Sequence, residues 1–165
     1  MRLLLSALFC AAGVHAQTCQ PSADEVVQAV NRVRAQPRTC GQRQRAVAAP
    51  VAWDERLAAS ASAYALELGR RGEISHQGQR AGTLRQRLQS AGYPMASGGE
   101  VLGGGPATLD QALVLWLASE SHCESLMRPD YIHIGAACVA AAGRYEQYWV
   151  LHLAVPVRSS PDRSP

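Results

Sequence analysis

Lysine is absent from this chain; all 16 basic residues are arginine. That removes the lysine with which a P-loop reaches its phosphates. The glycine-rich stretch GGEVLGGG (98–105) also lacks the strand-to-helix context of a phosphate cradle. No histidine pair has HExxH spacing, and no GxSxG elbow is present. Beyond the first dozen residues, no apolar run approaches the length of a membrane span. Net charge is small, +3 over 165 residues with a pI near 8.7, and evenly spread. That argues against nucleic acid as a partner.

The first residues supply what the rest lacks. Arg2, the apolar run Leu3 to Ala12 and the small-x-small triplet Val14-His15-Ala16 have the order of a secretory signal. The expected signal is 1–16, and the mature domain is expected over 17–157. Cys10 has Phe9 before it, where a lipid-modified cysteine takes a small residue. Loss of Arg2 leaves the mature chain at +2. Loss of Cys10 leaves Cys19, Cys40, Cys123 and Cys138. An even count in an exported chain points to two disulfides, with the spacing unlike that of a zinc ribbon.

The length suits one domain with a core of its own. Ser22-Ala-Asp-Glu25 is a capping box ahead of Val26, Val30 and Val33, and Pro37 ends that helix. Arg43 to Pro50 reads as loop. Asp54 starts a long helix with Leu57, Ala61, Tyr64, Ala65 and Leu68 at helical spacing, closed by Gly72. Thr83 caps a short helix carrying Leu84 and Leu88. Ser97 to Pro106 is expected as loop with a short strand. Thr108 caps a fourth helix with Leu109, Ala112, Leu113, Trp116 and Leu117 on one side.

The period then changes. Ile132 to Ala140 and Tyr145 to Val155 read as two strands joined around Gly143. In the second, Trp149, Leu151, Leu153 and Val155 alternate with Tyr148, Val150 and Ala154, so both faces are apolar. Helices must cover both sides. The expected class is α/β: a three-layer α/β/α sandwich with a small, mainly antiparallel sheet. The tail 158–165 is polar and expected to be disordered.

Glu100 is the carboxylate that demands an explanation. It sits in an apolar, glycine-rich segment, where a lone charge is costly to bury. His76 and His122 are its candidate partners, in an ordered polar core or around a divalent cation such as zinc. Glu120 and Glu124 read as helix-end surface charges, His133 and His152 as structural histidines, and Tyr131 and Trp149 as packing residues.

The order of short motifs is more specific than any one of them. It runs Asn31-x-x-Arg34, Pro-Val-Ala-Trp-Asp-Glu-Arg-Leu (50–57), Ser75-His76, Arg87-Leu-x-x-Ala-Gly-Tyr93 and Gly99-Glu100. Trp116-Leu-Ala-Ser-x-Ser-His122-Cys follows, then Leu126-Met-x-Pro129-x-Tyr-x-His-Ile-Gly135 and Tyr148-Trp-Val. This series resembles the CAP superfamily, or SCP domain, of cysteine-rich secretory, antigen 5 and pathogenesis-related proteins, in its small bacterial single-domain branch. The resemblance runs from about Val26 to Ala154 and implies the same α/β/α sandwich.

It also implies a central cleft of two histidines and one or two glutamates. His76 matches the first histidine, Glu100 the glutamate of Gly-Glu-Asn, and His122 the second histidine. The fourth member has Glu120 as its nearest candidate, displaced by one position. Val101 stands where the family has Asn, and Ser121 where it has Gly. A helix of about 15 residues is about 22 Å long, which makes a Cys19–Cys40 bridge awkward. The resemblance implies Cys40 with Cys123, and Cys19 with Cys138 would follow.

Two functions from different classes fit. The first is a non-enzymatic, secreted or periplasmic binding module, expected as a monomer, with no required cofactor. Its ligand would be a lipid, a cell-wall fragment or another protein. The second is a zinc-assisted hydrolase or peptidase, with His76 and His122 as metal ligands and Glu100 as the base.

Overall fold

The computed structural model describes residues 19–157. The expected signal and tail lie outside the described residues. Ser22 caps α1 (Ala23–Arg34) through a complete capping box with Glu25. A short antiparallel hairpin follows, β1 (Arg38–Cys40) with β2 (Arg43–Arg45), where the sequence reads as loop from Arg43 onward. Such a short, arginine-rich strand carries no apolar alternation to reveal it. After β3 (Ala52–Trp53), Asp54 caps α2 (Glu55–Arg71), and Gly72 ends it in the left-handed conformation at φ 67°. Thr83 caps α3 (Leu84–Ser90). Then come β4 (Met95–Gly104), α4 (Leu109–Ala118), α5 (Glu120–Leu126), β5 (His133–Ala140) and β6 (Gln147–Pro156).

The main sheet has the order β3-β5-β6-β4, antiparallel except for the β3–β5 pair. The largest departure from expectation is β4. Ser97 to Pro106 is largely strand, not loop, and pairs with β6 along its length. Glycines 98, 99, 103 and 104 conceal it, because they carry neither β propensity nor alternation. Pairing with the strongly apolar β6 overrides that local indifference.

Strand β6 divides the core by parity. Trp149, Leu151 and Leu153 join α1, α4 and α5 in one buried cluster. Tyr148 and Val150 join Ala61, Tyr64 and Leu68 of α2 on the other face, and Ala154 packs with Leu57, Leu88 and Tyr93. Helices on two faces of one sheet make the three-layer α/β/α sandwich. Helix α2 lies close on β5, where a Cβ at Gly135 would overlap the backbone of Leu57 and Ala58.

Two further devices tie the chain together. Cys19 is bonded to Cys138 and Cys40 to Cys123, closing separations of 119 and 83 residues. Arg34 is fully buried and donates to four backbone carbonyls: Ala49, Leu126, Arg128 and Tyr131, at 2.7–3.2 Å. Asn31 makes a two-way bond with the backbone of Val51. The Asn-x-x-Arg motif is therefore a structural clamp that docks α1 on the chain before α2 and on the turn after α5.

Candidate functional site

Strand register sets the centre of the site. Glu100 of β4 lies directly opposite His152 of β6. Cross-strand partners project to the same face. Leu102, two residues on, packs in the α2-side cluster, so Glu100 also turns toward α2 and α3. There its carboxylate is met from three directions. His152 Nε2 donates at 3.0 Å and Arg87 Nη2 at 2.5 Å to one oxygen, and His76 Nδ1 at 2.8 Å to the other.

The burial of these groups differs sharply. Side-chain exposure is 4 % for Glu100, 6 % for Arg87, 0 % for His152 and 61 % for His76. Burial alone would raise the Glu100 pKa. Hydrogen bonds from His152 and His76, together with the charge of Arg87, outweigh it and hold the group at about 2. Burial lowers the pKa of His152 despite the adjacent carboxylate, so the ring is neutral. A neutral imidazole bonded to a carboxylate carries its proton on the bonded nitrogen, here Nε2. His152 Nδ1 is left buried without a partner.

Arg87 organises the surroundings as well as the charge. It donates to the carbonyls of His76 at 3.2 Å and Ala81 at 2.9 Å, and its guanidinium stacks 3.7 Å above the Tyr64 ring. The Tyr64 hydroxyl in turn holds the carbonyl of Ser75. The loop that carries His76 is thus fixed by α2 and α3 together. Beside it lies a groove of about 550 Å³, bounded by Ser75–Gln77, Gly82–Leu84 and Gly98–Glu100.

The other sequence candidates do not bond Glu100. His122 makes no bond to Glu100. It belongs to α5, whose Cys123 and Leu126 pack in the cluster on the opposite sheet face from Glu100. The ring nevertheless lies near enough to His76, which bonds Glu100, for the charge of that imidazole to act on it. Burial lowers the His122 pKa, the charge of His76 lowers it further, and its Nδ1 is buried without a partner. Glu120 sits over the β1–β2 turn, where a Cβ at Gly41 would overlap its carboxylate. Glu124 pairs with Arg45 at 2.6 Å and Arg43 at 3.4 Å. His133 accepts or donates at 2.8 Å to the buried Tyr93 hydroxyl. Among the described residues, no three or more His, Cys, Asp or Glu side chains gather as a metal site.

Sequence reasoning placed neither Arg87 nor His152, read there as a structural sheet histidine, beside Glu100. Arg87 stands within a quoted motif, yet nothing in its local pattern reveals a buried cation. His152 had a signal: alternation puts it on the inward face with Val150 and Ala154, where a polar ring needs a partner.

Comparisons with known proteins agree with this architecture. The model of the cysteine-rich secretory protein family, CAP, matches residues 27–153. The uncharacterized protein YkwD of Bacillus subtilis is 26 % identical over 112 residues, covering 68 % of this chain and 44 % of that protein. An extracellular SCP-domain protein of Bacillus anthracis superposes with a TM-score of 0.66 at 21 % identity, covering 80 % of this chain and 39 % of that one. An outer surface protein of Borrelia burgdorferi gives 0.65 at 21 % identity, covering 85 % of this chain and 99 % of that one. The chain spans less than half the length of YkwD. With the sandwich, the two disulfides and the matched span together, the chain belongs to the CAP, or cysteine-rich secretory protein, family.

Proposed function

We propose that this chain is an exported binding module without catalysis of its own, and that the groove beside β4 holds its ligand. The observation that carries this reading is the full commitment of Glu100. A general base needs a pKa near the working pH and a free lone pair aimed at substrate. Glu100 is held at about 2, and its oxygens are taken by Arg87, His152 and His76. A catalytic zinc takes three protein ligands. Here the available donors are two imidazoles, His76 and His122, because Arg87 locks Glu100 and Glu120 turns to the hairpin. The residues present do not fit such a metal.

What the groove offers is polar recognition. Gly98 and Gly99 line it from β4, where the Met95 side chain and the Tyr131 ring crowd the space a Cβ would take. Ser75, His76, Gln77 and Thr83 supply hydroxyl, imidazole and amide groups around it. That chemistry favours a cell-wall fragment or a peptide segment over a lipid. Export is supported by the two disulfides, the leader-like residues 1–16, and relatives described as extracellular or as an outer surface protein. Among the described residues no helix is long and apolar enough to cross a membrane.

The test is a two-dimensional NMR titration of the mature chain with soluble disaccharide–peptide fragments of peptidoglycan, and separately with anionic phospholipid vesicles. Saturable shifts at His76, Gly98 and Gly99, abolished by His76→Ala, are expected with the fragments. Micromolar zinc affinity lost in both His76→Ala and His122→Ala, with peptide hydrolysis abolished in folded Glu100→Gln, would replace this reading with the hydrolase.

A further inference from the structure

Strand β4 is the outer strand of the main sheet, paired on one side by β6. Successive residues of an antiparallel strand turn their backbone groups alternately toward the partner and away from it. One bond fixes the phase. The Gly105 N–H donates to the Gln147 carbonyl at 3.0 Å, in register with the pairs Gly103–Trp149, Val101–Leu151 and Gly99–Leu153. These odd-numbered residues therefore bond β6, and Gly98, Glu100 and Leu102 turn their N–H and C=O to the outer edge. The Trp116 indole agrees, because its Nε1 donates at 2.8 Å to the Leu102 carbonyl.

Exposed edges invite pairing with another chain, and folded proteins cover them. Here the cover is selective. Trp116 takes the Leu102 carbonyl at one end. Arg85 takes the carbonyls of Met95 at 2.9 Å and Ala96 at 3.5 Å at the other. Between these two caps, among the described residues, nothing bonds the outward N–H and C=O of Gly98 and Glu100. That backbone is accessible. Glu100 as a residue is half-buried, yet its side chain is 4 % exposed, so the surface it presents is largely main chain. Gly98 and Glu100 also line the groove of about 550 Å³ beside His76.

We propose that the uncapped stretch of β4, residues 97–101, takes an extended peptide as an added strand. This names the ligand class of the β4 groove and rests on that groove being the binding site. Gly98 and Glu100 offer four hydrogen bonds to such a peptide, over about 7 Å of strand. The segments 75–77 and 82–84 wall the groove, which favours one slim chain over the edge of a second sheet. Cross-strand partners share a face, so the peptide residue opposite Glu100 points to the side of His76. With its Nδ1 proton given to Glu100, the neutral imidazole accepts at Nε2. That selects a hydroxyl-bearing residue such as threonine at this position.

The probe is the acetylated, amidated all-L pentapeptide Thr-Val-Thr-Val-Thr, titrated into the mature chain and followed by NMR and amide hydrogen exchange. Saturable binding is expected to slow exchange at Gly98 and Glu100 about tenfold, while Gly99 and Val101, already bonded to β6, change little. The same peptide N-methylated at its three central residues donates from neither edge and is expected to bind about tenfold more weakly. Gly98→Pro removes an edge donor that β6 does not use and is expected to weaken binding, with circular dichroism confirming the fold. The methylated peptide carries the test if that variant does not fold. Absence of saturable binding, equal affinity for the methylated peptide, or binding that leaves exchange at Gly98 and Glu100 unchanged overturns the proposal. Peptidoglycan fragments that bind and are lost in His76→Ala, with no binding of the pentapeptide, would leave the groove as the ligand site and sink only the added strand.

Discussion

Replacing Glu100 by Gln keeps the shape of the side chain and removes only its charge, so it isolates what the carboxylate contributes to the fold. The folded group is held at about 2, against an ordinary value of 4.5. At about 1.4 kcal/mol per pH unit, that difference amounts to about 3 kcal/mol of stability at neutral pH. The sign follows from the lowered pKa. The contribution is fully present above pH 4.5 and disappears as the pH falls toward 2. Loss of the charge also strands Arg87, a buried cation whose one carboxylate partner is Glu100. Removing one member of a buried pair costs about 3–5 kcal/mol. Urea unfolding, followed through the buried Trp116 and Trp149, should therefore place Glu100→Gln about 3 kcal/mol below wild type at pH 7. The gap should close by pH 2. The double variant Arg87→Met, Glu100→Gln should lose less than the two single variants combined, because neither charge is then stranded. A Glu100→Gln protein within about 0.5 kcal/mol of wild type at pH 7, or a gap that persists undiminished at pH 2, would refute the account.

Arg34→Met should cost about 3–5 kcal/mol or prevent folding, since four backbone carbonyls, those of Leu126 and Tyr131 in buried bonds, lose their donor; expression yield and urea midpoint report it. Gly135→Ala should push α2 off β5 and destabilise the chain by about 1–3 kcal/mol, read as a fall in melting temperature. Non-reducing peptide mapping should recover Cys19 with Cys138 and Cys40 with Cys123, and loss of either bridge should cost about 2–5 kcal/mol in denaturant. His122 should titrate below 6.5 by NMR, and His76→Ala should move it upward by removing a neighbouring charge. Because the folded state binds that proton less readily than the unfolded chain, the His122 contribution to stability is intact above pH 6.5 and falls away at lower pH.

The helices were legible because their ends are written locally. Ser22, Asp54, Thr83 and Thr108 each cap the helix that their sequence context announces, and Gly72 ends α2. The two apolar faces of β6 were legible from alternation alone, and they required helices on both sides. Strand β4 was not, because glycine carries no pattern and the strand exists through its partner. The site shows the same division. Glu100 stood out as a buried charge needing company. Which residues supply that company depends on strand parity and on the packing of α3, neither of which is local. His122 shares the family motif and lies near His76 without bonding Glu100, whereas His152 lies directly opposite Glu100 across the strand pair.

The identity of Glu100's partners decides what kind of groove this is. Had the carboxylate faced two imidazoles alone, its pKa would depend on their protonation, and the trio would exchange protons near neutral pH. Arg87 forbids this, because a guanidinium stays charged at any working pH. With that cation 2.5 Å away and 6 % exposed, Glu100 stays ionised and fixed. Its role is to orient His76, accepting from Nδ1 and so leaving Nε2 free on the exposed side of the ring. The histidine becomes a positioned hydrogen-bonding group beside the glycines of β4 that line the groove. A lysine at position 87 would keep the charge but lose the planar fork that reaches Glu100, His76 and Ala81 together. Arg87→Lys should therefore leave the Glu100 charge in place while loosening the His76 loop. The expected result is near-wild-type acid dependence of stability, but broadened NMR signals at Ser75–Gln77 and weakened binding of the peptidoglycan fragments. Sharp loop signals and unchanged binding in Arg87→Lys would show that charge alone, without the fork, is sufficient to hold the groove.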